Sequence, residues 1–115
     1  MREKGGDAIC VTADLSLSSD VARLHDATLD TFGRADVIIN NAGTSFYGVL
    51  ASMSDADIKR ILDDDLLSAI LVSRAFYDDL AFAGRGCMIN ISSVWGIKGA
   101  STESIYSAAK AGVMA

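Results

Sequence analysis

Three short apolar runs alternate with long stretches of helical periodicity, and this alternation is what most narrows the folds open to the chain. The runs are residues 8–13 (AICVTA), 36–40 (DVIIN) and 87–92 (CMINIS). Each is four to six residues of mostly apolar or β-branched character, the composition of a strand buried on both faces of a parallel sheet. Between the first two, Val21, Leu24, Ala27, Thr28 and Leu29 recur at helical spacing. Ser18 and Ser19 can cap that helix, and Gly33 suits the position just past its end. Ser54 followed by Asp57 forms a capping box with Asp in place of Glu. From there a long helix is predicted to about Leu80, with Ile58, Ile61, Leu62, Leu66, Ala69, Ile70 and Ser73 facing inward. Gly84-Arg85-Gly86 ends it, residues 96–101 form a loop, and a last helix starts near Glu103. The order strand, helix, strand, helix, strand, helix predicts an α/β fold with a doubly wound parallel sheet.

In such sheets ligands bind beyond the carboxyl ends of the strands. Asp14, the turn Asn40-Asn41-Ala42-Gly43 and the pair Ser92-Ser93 each stand at such an end. They are expected to line one edge of one crevice. The 115 residues suffice for one domain with one core, and half of them are hydrophobic while 22% are charged. A net charge of −5 gives no basic footprint for nucleic acid or an anionic membrane. No apolar run reaches a membrane-spanning length, and residues 1–6 carry no signal-peptide core, so a cytoplasmic location is expected. Cys10 and Cys87 lie inside strand-like runs and read as free, buried thiols. With one histidine and no Cys-x-x-Cys, no metal site is expected.

Tyr106 and Lys110 stand four apart, on one face of the last helix. A lysine ammonium beside a phenol favours the phenolate form. Ser93, thirteen residues before Tyr106, brings a hydroxyl from a strand end. Together these groups can transfer a proton at a carbonyl or alcohol oxygen. Singly, each has a plain structural reading: a half-buried tyrosine with a solvated lysine, a turn after a strand, two hydroxyls at a strand end. His25 reads as a surface or boundary histidine with no partner in sequence. Trp95 either borders a substrate pocket or packs.

Taken in order, these motifs resemble the short-chain dehydrogenases/reductases, and the resemblance covers nearly the whole chain. Asp14-Leu15 is similar to the family's acidic position that accepts from the adenine amine. The stretch from Phe32 through Asp36 to Asn40-Asn41-Ala42-Gly43 resembles the family block whose loop runs beside the adenosine side of the cofactor. Residues 86–93 resemble the strand that carries the catalytic serine, and Tyr106 and Lys110 match the catalytic tyrosine and lysine. The resemblance implies an NAD(P)-dependent oxidoreductase acting on a carbonyl/alcohol pair. Ser93 orients the carbonyl, Tyr106 is the general acid/base, and Lys110 holds the nicotinamide ribose. Asp14, Leu15, Asn41, Ala42, Gly43, Tyr106 and Lys110 would bind the cofactor, NAD or NADP. A full-length form is expected to be a homo-oligomer. Residues 92–96 and 99–101 resemble the 3-oxoacyl-carrier-protein reductases and, within their neighbourhood, the elongation factor P 5-aminopentanone reductases.

Two departures stand out. Asp65 occupies the place of the family's asparagine, a member of its catalytic tetrad. A buried carboxylate there needs a partner, with Lys110 a candidate. Asp63 and Asp64 read as an acidic, partly solvated helix face. The second departure is the family's glycine-rich strand–turn–helix that holds the cofactor pyrophosphate, which this sequence does not show. By resemblance, residues 1–115 are the central part of one Rossmann-like domain, strands three to five, truncated at both ends. In the family order the strand at 8–13 would then stand roughly 14 Å, about three strand spacings, from the strand at 36–40. Two rivals remain: a truncated, non-catalytic binding or oligomerisation module, and an unrelated doubly wound domain.

Overall fold

The structure, a computed structural model, describes residues 5–82, 84 and 86–115. The readings made on residues 1–4 and on Arg85 lie outside the described residues. Helix α1 spans Ser18–Phe32, strand β1 Val37–Asn40, α2 Asp55–Leu62, α3 Ser68–Ala75, α4 Tyr77–Phe82, strand β2 Cys87–Asn90, α5 Trp95–Lys98 and α6 Ser104–Met114. A single π-helical turn, Asp63–Leu67, joins α2 to α3.

β1 and β2 pair in parallel, with Val37 opposite Cys87 and Asn40 opposite Asn90. The parallel pairing expected of the second and third apolar runs is therefore present. The run at residues 8–13 is not part of this two-stranded sheet, contrary to the expected strand. It is tied to α1 instead: Arg23 Nη1 donates to the Thr12 carbonyl at 2.9 Å, and Asp14 N–H donates to Asp20 Oδ2 at 2.8 Å. A strand exists only where a ladder partner is in reach, and none is beside this run among the described residues.

The helix boundaries follow local chemistry. Gly33 takes φ +76°, where a Cβ is disfavoured, and its N–H closes on the Leu29 carbonyl at 2.7 Å. The capping box at Ser54 forms: Asp57 N–H donates to Ser54 Oγ at 3.2 Å, and Ser54 N–H donates to Asp57 Oδ2 at 3.3 Å. At α1, by contrast, Leu17 is the cap residue and no serine side chain caps the helix.

The single long helix predicted after Ser54 is three helices and a π turn, and its inward stripe lies one position earlier than expected. Ile61, Asp65, Ser68 and Val72 are buried, whereas Leu62 and Ile70 are exposed. The hydropathy pattern cannot separate these two stripes, because both carry apolar residues. Val21, Ala35, Leu71, Val72 and Phe76 form the core between α1 and α3, with Leu15, Ile38, Leu67 and Ala75 packed on it. The strands are more open than their composition suggests: Val37 is 54% and Ile39 60% exposed. A groove of about 520 Å³ runs beside β1, walled by residues of α1 and α3, and no lining residue comes from β2.

Cys10 and Cys87 are free, as expected, but exposed rather than buried. His25 does have a partner: its Nε2 lies 2.8 Å from Asp79 Oδ2 on α4, and its ring sits 4.8 Å from that of Phe76. No helix among the described residues is long and apolar enough to cross a membrane.

Candidate active site

The carboxyl end of β1 leads into residues 41–45, the carboxyl end of β2 into Ile91-Ser92-Ser93, and α6 lies against both. Ser92 Oγ donates to the Lys110 carbonyl at 2.7 Å, fixing the exit of β2 on α6. Ser107 Oγ donates to the Glu103 carbonyl at 2.8 Å and accepts from Ala100 N–H at 3.1 Å, fixing the loop before α6. The two loops that flank the site also meet, through Gly48 N–H on the Thr102 carbonyl at 2.9 Å.

A polar cleft of about 300 Å³ opens between these elements, and Asn41, Gly43, Asp65, Tyr106 and Lys110 all line it. Five of the predicted site residues thus share one space. Lys110 is buried, with its ammonium 5.5 Å from the centre of the Tyr106 ring. That is within the range of cation–π attraction and keeps the two groups on one side of the helix. The ammonium lies 3.1 Å from Asp65 Oδ1 and also reaches the Ile91 carbonyl at 3.4 Å. Asp65 is 1% exposed, and its second oxygen accepts from Thr44 N–H at 3.0 Å. The buried carboxylate has the partner that burial demands.

The Cα of Gly43 approaches this pair closely. A Cβ at that position would overlap Asp65 Oδ1 and come within 3.3 Å of Lys110 Nζ. The glycine of the Asn-Asn-Ala-Gly turn therefore makes room for the ion pair.

Ser93 is placed differently from the expectation. It stands just beyond the cleft lining, half-buried, and its Oγ accepts from Trp95 N–H at 3.3 Å, while Ser92 is the serine that lines the cleft. Trp95 opens α5 and is 38% exposed.

A second cleft, about 320 Å³, lies on the other side of Gly43. Asp14, Leu15, Ala42, Gly43 and Asp64 are among its walls. The remaining predicted cofactor-side residues are therefore together as well, and Gly43 borders both clefts. Asp14 Oδ1 accepts from Ser16 N–H at 2.9 Å and from Ser16 Oγ at 2.6 Å, which sets the carboxylate at the mouth of α1. Asp64 is not simply a solvated face residue. Burial raises its pKa above the usual carboxylate range; Arg60 opposes the rise, and Asp65, Asp14 and Asp63 add to it. Asp63 fits the expected solvated role, paired with Lys59.

Sequence reasoning missed Thr44 and Ser92 as structural members of the site. Thr44 follows the recognised turn directly, and Ser92 precedes the recognised serine. Their roles run through backbone groups, one donating its own N–H and the other bonding a carbonyl, and no side-chain pattern encodes that.

Parallel strands whose carboxyl ends converge on a tyrosine–lysine helix place this chain in the oxidoreductase class of α/β proteins. Comparison with known proteins agrees. The family described as short chain dehydrogenase matches residues 1–115. The ketoacyl reductase HetN of Nostoc sp. is 36% identical over 114 residues, covering 99% of this chain and 40% of that protein. A 3-oxoacyl-[acyl-carrier-protein] reductase of Synechocystis sp. is 38% identical over 110 residues, covering 96% and 44%. A metagenomic short-chain oxidoreductase solved with NADP superposes with a TM-score of 0.91 at 34% identity, covering 98% of this chain and 51% of that one. A short chain dehydrogenase/reductase from Burkholderia phymatum solved with NAD gives 0.93 at 28%, covering 98% and 41%. The chain belongs to the short-chain dehydrogenase family. It spans about two fifths to a half of the length of these relatives.

Proposed function

We propose that this chain carries the proton-transfer part of an NAD(P)-dependent oxidoreductase acting on a carbonyl/alcohol pair, as the middle of a doubly wound Rossmann-like domain. The observation that carries the reading is the shared cleft of Asn41, Gly43, Tyr106 and Lys110 at the strand ends. The described residues fit the cofactor in part. The cleft with Asp14, Leu15 and Ala42 suits an adenosine end, the cleft with Tyr106 and Lys110 suits a nicotinamide–ribose end, and Gly43 joins them. No glycine-rich strand-to-helix turn for the pyrophosphate is found among the described residues.

The bound cofactor would supply the hydride. Tyr106 gives a proton to the carbonyl oxygen as it becomes an alkoxide, and takes one from the alcohol in the reverse direction. Lys110, fixed by Asp65 and the Ile91 carbonyl, holds its ammonium beside the tyrosine and toward ribose hydroxyls. Ser93 turns from Trp95 N–H to the substrate oxygen and polarises it. The names of the relatives favour ketoacyl groups as substrates, in line with the resemblance of residues 92–101 to the 3-oxoacyl reductases and the aminopentanone reductases. Self-association of the complete protein through α3 and α6 and a cytoplasmic location belong to the same reading.

The test is NAD(P)H oxidation by the complete encoded polypeptide with simple ketones and with 3-oxoacyl thioesters. Turnover is expected. A folded polypeptide that neither binds nor oxidises NAD(P)H overturns the reading in favour of a non-catalytic binding or oligomerisation module.

A further inference from the structure

The polar cleft beside Tyr106 has two charged residues in its lining, Asp65 and Lys110, and they neutralise each other. The carboxylate oxygen lies 3.1 Å from the ammonium, and the side chains are 0% and 7% exposed, so solvent screens the pair little. The rest of the lining is Asn41, Gly43, Thr44, Ser45, Ile91, Ser92 and Tyr106, none of which carries a formal charge beside a neutral phenol. A buried lysine alone would make such a cleft an anion site. With a carboxylate in contact, the cleft is dipolar and its net charge is zero.

We infer that Asp65 is a specificity-determining residue: by neutralising Lys110 it makes the cleft accept neutral carbonyl groups and reject substrates with a carboxylate next to the reacting carbon. The inference rests on the proposed function for its reaction, though not for its electrostatics. An anion entering the cleft meets both partners of the pair. Its attraction to the ammonium is offset by repulsion from Asp65 Oδ1, and it still loses its own hydration. A ketone or amide loses far less and can use the polar donors. Selectivity then comes from a repulsive group placed against the wrong ligand. Three contacts hold Asp65 to this task. Thr44 N–H occupies its second oxygen, Lys110 its first, and Gly43 leaves the space that the carboxylate fills.

The experiment uses the complete encoded polypeptide and two isosteric pairs differing in charge. In turnover, pyruvamide is compared with pyruvate as the ketone. In binding, acetamide is compared with acetate by the rise in melting temperature each produces. The unaltered protein should prefer pyruvamide and be stabilised more by acetamide. Asp65→Asn keeps the shape of the side chain and removes its charge, leaving Lys110 uncompensated. It should move the pyruvate-to-pyruvamide ratio of kcat/KM upward by about tenfold or more, the size expected of one unit charge at short range in a poorly screened site. It should make acetate the better stabiliser. A merely structural role for Asp65 would lower both substrates together and leave the ratio unmoved. Asp65→Ser removes the same charge with a smaller side chain and carries the test if the asparagine disturbs the π turn. An unchanged ratio together with unchanged anion binding in a folded variant overturns the inference. Absence of turnover with every ketone overturns the proposed function instead, and the acetate–acetamide comparison then still decides the role of Asp65.

Discussion

Asp65 Oδ1 occupies the space in front of Gly43 that any side chain at that position would need. The turn after β1 and the π turn after α2 thus meet at one carboxylate, which Lys110 of α6 holds from the other side. Replacing Gly43 by alanine should force these elements apart. Overpacking of a buried contact costs about 1–3 kcal/mol, read as a lower urea midpoint of the complete polypeptide with unchanged slope. An alanine variant as stable as the parent would show that the turn yields freely.

The buried ion pair should be far more costly to break than to remove. Lys110→Met leaves the Asp65 carboxylate buried with no cation, a loss of about 3–5 kcal/mol. Adding Asp65→Leu to that variant replaces both charges by apolar groups and should recover most of the loss. The two single variants and the double variant, compared by denaturant unfolding, check this. Additive losses would contradict it.

His25 links α1 to α4 and should make stability depend on pH. Burial alone pulls the imidazole pKa down, but the hydrogen bonds to Asp79 and Asp26 and the charges of both outweigh it, so the folded value is raised above 6.5. The folded state therefore binds the proton more tightly than the unfolded one. The stabilisation is fully present below the unfolded pKa and is lost as pH rises through the folded pKa. Unfolding free energies at about pH 5 and pH 8 should differ more in the parent than in Asp79→Asn. Equal differences in the two proteins would remove the Asp79 contact as the cause.

These 115 residues expressed alone should self-associate. Val37 and Ile39 line the open groove beside β1, both more than half exposed. An open strand edge with an apolar groove beside it is a template for pairing with another chain. Light scattering and dye binding should report association and a broad thermal transition. A monomer with one sharp transition would contradict this.

Much of the fold was legible in the sequence because it is locally encoded. The β-branched runs at β1 and β2, the glycine after α1 and the Ser54–Asp57 capping box all appear where their chemistry requires them. What was not legible depends on distant partners. Residues 8–13 have the composition of a strand, but a strand is a relation to a neighbour. His25 finds Asp79 across 54 residues of chain, a distance no local pattern spans. The inward stripe of α2 and α3 was misplaced by one residue, since Leu62 and Ile70 are as apolar as the residues that are buried. Within the site, the Tyr106–Lys110 spacing and the Asn-Asn-Ala-Gly turn point to one cleft, and Lys110 pairs with Asp65 because burial leaves the carboxylate no cheaper partner. The hydroxyl of Ser93 lies outside that lining because it bonds to Trp95 N–H, a backbone contact invisible in side-chain patterns.

The central claim is that Tyr106 moves the proton. It is tested most directly by the rate of NAD(P)H oxidation with a 3-oxoacyl thioester, measured for the complete polypeptide and its Tyr106→Phe and Tyr77→Phe variants. Tyr77 is 67% exposed and outside the cleft lining, so its loss should leave the rate unchanged. Removing the phenol of Tyr106 takes away the general acid, a loss of about 10²–10⁴-fold in kcat, while NAD(P)H binding is retained. A Tyr106→Phe protein that turns over at the parent rate would contradict the account.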